Sequence, residues 1–215
     1  GDFNFSRICN NGAQSVDGDF LCLLNNDIEV ISPGWMEEMV SLASQPGIGA
    51  VGAKLIYPNN TIQHAGVIMG LGGVAGHALS SQNRNTFGYF GRGKLVQELS
   101  AVTAACLMVS KSKYMEMGGL DEHNLVIAFN DVDFCLRLQQ AGYRNLWTPH
   151  AELYHHESAS RGYEDNEEKQ ARFNSEVEYI KEKWSEIINH DPAYNPNLSL
   201  IRGDFSLAWP PRNLK

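Results

Sequence analysis

Leu21-Cys22-Leu23-Leu24-Asn25-Asn26-Asp27-Ile28-Glu29-Val30 is an apolar run followed at once by two amides and a carboxylate. With Phe20 in front, Cys22 and Leu24 share one face of the run, and Leu21 and Leu23 share the other. Apolar residues on both faces predict a central strand in a sheet covered by helices on both sides. In open α/β sheets, ligands collect just beyond the carboxyl ends of such strands. Asn25, Asn26 and Asp27 stand at that place, and a carboxylate there can hold a hard cation and a phosphate. The competing reading is a loop aspartate that caps a helix beginning near Pro33.

On the amino-terminal side, Asn4-Phe5-Ser6 reads as the cap of a helix over 7–16 with Ile8, Cys9 and Ala13 facing inward. Asp17-Gly18-Asp19 then turns the chain into the strand. On the other side, Pro33-Gly34-Trp35 opens a helix whose apolar side is Trp35, Met36, Met39, Val40 and Leu42. A short buried strand over 48–53 follows, continued by Lys54-Leu55-Ile56-Tyr57 and a turn at Pro58-Asn59-Asn60. Residues 62–69 read as a strand, and the glycines from Gly66 to Gly93 make much of the next stretch loop, with His64 and His77 flanking its apolar part. Such a loop is either a binding loop or a surface excursion. Residues 99–109 return to a strand pattern, and a short helix over 111–117 stops at Gly118-Gly119.

Residues 130–141 are the most legible helix, closed by Gly142. Asp131, Phe134, Cys135 and Leu138 share one face, whereas Asp133, Arg137 and Gln140 share another. Asp133 and Arg137 therefore read as an ordinary i,i+4 pair on a polar side. Asp131 points with the apolar face near the helix start, as a cap or as a general base lining a cleft. Two short strands are predicted over 143–147 and 151–155. In the second, Ala151, Leu153 and His155 lie on one side and Glu152, Tyr154 and His156 on the other. An adjacent histidine pair at a strand end is a candidate ligand source in a chain that already offers Asp27. A charged amphipathic helix covers 166–189, and a Pro- and Asn-rich tail over 191–215 wraps the surface.

The 215 residues suit a single core. A net charge of −8 without any basic run argues against nucleic acid as a partner. Cys9, Cys22, Cys106 and Cys135 show no short pairing, which fits reduced thiols in a cytoplasmic protein. No signal peptide is read at the start, and the apolar stretch 65–76 is too short to cross a bilayer.

The segment 23–30 followed by Pro33-Gly34-Trp35 resembles the metal-binding segment of family 2 glycosyltransferases. Val51-Gly52-Ala53-Lys54-Leu55, Ile62-Gln63-His64-Ala65-Gly66 and Gly73-Val74-Ala75-Gly76-His77 are similar to the next blocks of that family. Phe129-Asn130-Asp131-Val132-Asp133-Phe134 resembles its catalytic-base helix, and Tyr154-His155-His156-Glu157-Ser158 its terminal histidine segment. The nearest subgroup is the bacterial rhamnosyltransferase-like enzymes of surface-polysaccharide assembly. The resemblance implies an α/β, GT-A-like fold with a mixed, mostly parallel sheet flanked by helices. It further implies a domain over 1–190 lacking most of its amino-terminal nucleotide-binding part, with the 191–215 tail packed on it.

By the same resemblance, a sugar would pass with inversion from a nucleotide-diphospho-sugar donor to a hydroxyl of a glycan or lipid-linked acceptor. Asp27 would hold Mn²⁺ or Mg²⁺, with His155 the first choice and His156 the second for a further ligand. Asp131 would be the base. Asn25, Asn26, Trp35, His64, Gly73, His77 and Asn130 would contact donor or acceptor. A lipid-linked acceptor implies peripheral work at the inner face of the cytoplasmic membrane. Two rival readings are a metal-dependent hydrolase using Asp27, Asp131, His155 and His156, and an incomplete transferase-like module that binds a glycan or a partner protein. The hydrolase lacks the tight ligand spacing usual in such sites.

Overall fold

A computed structural model describes residues 3–156 and 166–212. In chain order the elements are α1 (Phe5–Ser15), β1 (Phe20–Leu24), β2 (Ile28–Val30), α2 (Trp35–Ala43) and β3 (Ile48–Ile56). Next come β4 (Ile62–His64), β5 (Val67–Met69), β6 (Ala75–His77), β7 (Gln97–Glu98) and β8 (Cys106–Ser110). The chain ends with α3 (Lys111–Glu116), α4 (Asn130–Gln140), β9 (Arg144–His155), α5 (Glu167–Lys183) and α6 (Ser185–Asn189).

The main sheet runs β1-β8-β3-β9-β2, with β4 added to β3 and β7 to β9, while β5 and β6 form a separate hairpin. The sheet is mixed. Its parallel pairing joins β3 to β9, the two longest strands, and the other described ladders are antiparallel, so the parallel share is smaller than the sequence suggested. All nine residues of β3 are buried, as a strand covered on both faces should be. One face packs on α2 through Trp35, Met39 and Ala43 against Val51, Ala53, Leu55 and Leu153. The other packs on α1, α4 and the carboxy-terminal helices through Leu107, Val109, Phe134, Leu138, Trp147, Ile180 and Trp184.

Several expectations are corrected. β1 pairs with β8 alone among the described strands and lies at the sheet's edge rather than its centre. Its two faces are nevertheless both covered, Leu21 and Leu23 by one cluster and Phe20 and Cys22 by the other, so its pattern reported face burial and not position. Asn4 caps α1 by accepting the Arg7 N–H at 2.8 Å, but Ile8 is exposed, as is Met36 on α2. Residues 99–105 are irregular, and the strand begins only at Cys106. The two short strands over 143–155 are one strand that runs through Pro149. The register shift between Gly52 and Lys54, opposite Trp147 and Glu152, is the bulge that tolerates a residue without an N–H.

The tail lies over the surface and is anchored at a few buried points. Tyr194, Leu198 and Phe205 are buried in the main cluster, and the Asp191 carboxylate accepts the Met69 N–H at 2.7 Å and the Ser100 hydroxyl at 2.6 Å. Burial pushes the Asp191 carboxyl above its ordinary range, against the hydrogen bonds that favour its charged form. All four cysteines are free thiols.

Asp133 is also corrected. It is 0% exposed, and its carboxylate meets Arg137 Nε at 2.8 Å, Lys183 Nζ at 2.7 Å and Trp184 Nε1 at 2.9 Å. The i,i+4 pair exists, but it is the buried bolt between α4 and α5. Asp133→Ala would leave two cations facing an emptied site, at a cost of about 3–5 kcal/mol, readable as a lowered urea midpoint.

His64 on β4 is fully buried, and burial, with His77 and His155 adding to it, holds its imidazole well below the ordinary value of 6.5. Below that pH the unfolded chain takes up a proton that the folded chain refuses. Stability should therefore fall as pH drops from 7 toward 5, by up to about 1.4 kcal/mol per pH unit. Urea unfolding of wild type and His64→Gln at both ends of that range checks this, with a shallower slope expected in the variant.

Candidate active site

The antiparallel β2–β9 ladder places Ile28 opposite His155, and the His156 N–H donates to the Asp27 carbonyl at 2.9 Å. Asp27 therefore sits beside the last residue of β9. His155 points inward with Leu153 and Ala151, all three buried, whereas His156 points out and meets Glu29 at 3.1 Å. The alternation read from the sequence had separated these two histidines in the same way.

His155 Nδ1 lies 2.7 Å from Gln63 Oε1. A carbonyl oxygen only accepts, so Nδ1 carries the hydrogen and Nε2 presents its lone pair. Asn25 Nδ2 lies 3.1 Å from that nitrogen, and Asp27 Oδ1 also lies 3.1 Å from it. Asp27 Oδ1 is buried without a hydrogen bond, because a lone pair and a carboxylate oxygen have no proton to share. Two ligand atoms thus converge at the separation of adjacent ligands on one octahedral ion, roughly 3 Å. Asp27 and His155 have the spacing a divalent cation would need, and Gln63 fixes the tautomer of the His155 ring. Among the described residues no cluster of three or more His, Cys, Asp or Glu adds to them.

Residues 103–105 join this pair to the rest of the site. The Ala105 carbonyl accepts the Asn25 N–H at 3.0 Å. The Ala104 N–H donates to Asp131 Oδ2 at 2.9 Å, and the Thr103 N–H reaches His64 Nε2 at 3.4 Å. Backbone groups that a strand would have spent on a ladder are spent here on side chains, which is why 99–105 is irregular. The Thr103 contact makes Nε2 of His64 the acceptor. His64 Nδ1 therefore carries the hydrogen and donates it to His77 Nδ1 at 2.8 Å. His77, at the end of β6, is exposed.

Asp131 is half-buried at the start of α4, its other oxygen accepting the Val132 N–H at 2.8 Å. The approach to that helix is held from α5. Buried Glu176 accepts the Ile127 N–H at 2.8 Å and the Ala128 N–H at 3.3 Å, just before Phe129 turns through φ +58°. Arg137 donates to the Met117 carbonyl and, at 2.7 Å, to the Gly119 carbonyl.

Two of the other residues expected to contact donor or acceptor are engaged in the fold, and two are open to solvent. Trp35 is 8% exposed and packs between α2 and the sheet, so its ring is core. Asn130 is buried and donates to the Ile127 carbonyl at 2.8 Å, shaping the turn into α4. Gly73, at φ +95°, and Asn26 are exposed. Glu157 and Ser158 lie outside the described residues. Sequence reasoning passed over Gln63 and residues 103–105. A polar residue inside the apolar segment 62–69 was the signal for Gln63, whereas the backbone role of 103–105 leaves none in the side chains.

No family model matches the chain. It is 54% identical over 208 residues to the uncharacterized protein y4gI of Sinorhizobium fredii, covering 97% of this chain and 23% of that protein. It is 36% identical over 220 residues to the O-antigen biosynthesis protein RfbC of Myxococcus xanthus, covering 98% of this chain and 16% of RfbC. Over 153 residues it is 28% identical to the N-acetylglucosaminyl-diphospho-decaprenol L-rhamnosyltransferase of Mycobacterium tuberculosis, covering 67% of this chain and 49% of that protein. The chain thus spans less than half the length of each of these relatives. Among solved structures it is similar to GalNAc-T7 with UDP, GalNAc and Mn²⁺, with a TM-score of 0.61 and 13% identity over 88% of this chain and 38% of that one. It is also similar to the mannosyltransferase PcManGT of Pyrobaculum calidifontis in complex with GDP-Man and Mn²⁺, with a TM-score of 0.51 and 11% identity over 82% of this chain and 43% of that one. The chain has the GT-A fold and is glycosyltransferase-like in sequence and architecture.

Proposed function

We propose that this chain carries the metal and base residues of an inverting family 2 glycosyltransferase, close to the rhamnosyltransferase-like enzymes of bacterial surface-polysaccharide assembly. The donor would be a nucleotide-diphospho-sugar, and the acceptor a hydroxyl of a glycan or lipid-linked saccharide. The observation that carries this reading is the convergence of buried, hydrogen-bond-free Asp27 Oδ1 on the lone pair of His155 Nε2. Asp27 and His155 would hold Mn²⁺ or Mg²⁺, and the outward-facing His156 is the weaker candidate. A bound divalent ion supplies charge compensation for a diphosphate leaving group. The relatives add O-antigen and rhamnosyl transfer in their own descriptions, and the solved neighbours were crystallised with Mn²⁺.

Asp131 takes the proton. In this reading the acceptor oxygen bonds to the anomeric carbon as the bond from that carbon to the diphosphate oxygen breaks, and the acceptor proton passes to Asp131. Each Asp131 oxygen already accepts one backbone N–H and keeps a second lone pair for that proton. Both N–H groups orient the carboxylate, and Glu176 and the Asp133 bolt fix the helix that carries it. His77, oriented by His64, is placed in this reading as an N–H donor toward a sugar or phosphate.

Thermal unfolding of the 215-residue chain with Mn²⁺ and UDP, dTDP or GDP tests the reading. A stabilisation that needs both metal and nucleotide, and that disappears in Asp27→Ala, is expected. No shift with any nucleotide would refute a donor site in this chain. Gln63→Leu should weaken Mn²⁺ binding roughly 10–100-fold by loosening the His155 ring, as read by Mn²⁺ paramagnetic resonance. Asp131→Asn should keep the nucleotide shift and lower transfer by about 10²–10⁴-fold, measured with radiolabelled sugar nucleotides.

A further inference from the structure

Residues 86–96, between β6 and β7, contain Phe87, Tyr89, Phe90, Leu95 and Val96, all exposed. Phe87 is 72% and Phe90 85% exposed. Phe90 adopts φ +50° between Gly88 at +62° and Gly91 at +78°, a conformation that a bulky side chain rarely takes. Its ring meets the neighbouring Tyr89 edge to face, 4.7 Å between centres, and is otherwise open to solvent. The tail meets this loop where the Arg92 guanidinium lies 4.8 Å from the centre of the Phe205 ring, and it exposes Ile201, Leu207 and Trp209, the last at 89%.

The charge here runs against that of the chain. Residues 86–96 and 201–212 hold four basic residues, Arg92, Lys94, Arg202 and Arg212, and one acidic residue, Asp204, in a protein of net charge −8. Asp204 is turned to the Ser206 hydroxyl and N–H, at 2.6 and 3.0 Å. Lys94 Nζ lies 5.9 Å from the centre of the Phe87 ring, so in this loop a cation and an exposed ring stand side by side. Aromatic rings and long basic side chains at one level are what the headgroup boundary of a bilayer selects. Among the described residues no helix is long and apolar enough to cross a membrane, so contact would be interfacial.

We propose that residues 86–96, with the tail around Trp209, dock this protein on an anionic lipid surface. Phe87, Phe90 and Trp209 enter the boundary and Lys94 and Arg202 meet the phosphates, while Arg92, held by Gln97 and the Phe205 ring, and Arg212, held by the Asn195 and Pro196 carbonyls, add to the positive field. The connection that carries this loop leaves β6 at His77, so docking would bring a lipid-held saccharide toward the site of the proposed transfer. That placement rests on the transferase reading, but vesicle binding is measured without turnover, so each idea can fail alone.

The test is co-sedimentation of the 215-residue chain with vesicles of phosphatidylglycerol and phosphatidylcholine, against phosphatidylcholine alone. Binding is expected on the anionic vesicles only, weakened by salt. F87S/F90S should lower it about tenfold, with an unchanged thermal midpoint because both rings are exposed, and K94Q should lower it about fivefold. Trp35, Trp147 and Trp184 are buried, so a blue shift of tryptophan emission on binding reports Trp209 and should vanish in W209S. Absence of binding to anionic vesicles, or equal binding by F87S/F90S, would overturn the proposal. Self-association abolished by F87S/F90S without vesicle binding would also overturn it, by assigning the surface to a second copy of the chain.

Discussion

Setting Ile28 against His155 across the β2–β9 ladder is the constraint on which the site depends. Strand side chains alternate, so a slip of one residue would turn His155 to solvent and bring His156 inward. The His156 N–H on the Asp27 carbonyl opposes that slip from the backbone, and the Gln63 amide on Nδ1 opposes it from the side chain. Asn25 then carries the arrangement onward, its side chain on His155 and its N–H on the Ala105 carbonyl. One residue further back, Ala104 holds Asp131. Asp27, His155 and Asp131 are thus coupled through a few short backbone contacts.

The base-bearing helix is held differently. α4 is gripped from α5 at two levels, Glu176 below its first turn and Lys183 with Trp184 on Asp133. Both carboxylates are buried, and a buried carboxylate is tolerated only when its oxygens are fully engaged. Asn145 is a third such node, its side chain donating to the Ser100 and Cys135 carbonyls and accepting the Ala50 N–H. These groups specify one relative position of α4, β3 and the 99–105 segment more sharply than apolar packing alone would.

Local periodicity was a good guide wherever a residue's environment is set by its own element. The two-sided run at Leu21, the alternation that separates His155 from His156 and the apolar face of α4 were all legible. It misled where partners lie far along the chain. Asp133 with Arg137 four residues later has the spacing of a surface pair, and nothing within α4 announces Lys183 and Trp184 fifty residues on. Trp35 read correctly as part of the apolar face of α2, and only the family resemblance had offered its ring as a ligand contact. The edge position of β1 could not be read either, since covering both faces leaves the same pattern at an edge as at the centre. Residues 103–105 act through peptide groups, which every residue shares, so the small Ala101, Ala104 and Ala105 suggested a close neighbour without saying which groups it would bond.

The carboxy-terminal segment has a consequence for how the chain becomes a folded unit during synthesis. Asp191 fills hydrogen bonds from Met69 and Ser100, and Tyr194, Leu198 and Phe205 complete a cluster whose other members begin at Ala13. These contacts join the beginning and the end of the sequence, so the emerging polypeptide cannot close its core until residue 205 has left the ribosome. Until then the β5–β6 hairpin and the glycine-rich stretch beyond it stand open. A nascent chain of this design leaves that cluster incomplete until residue 205 has emerged.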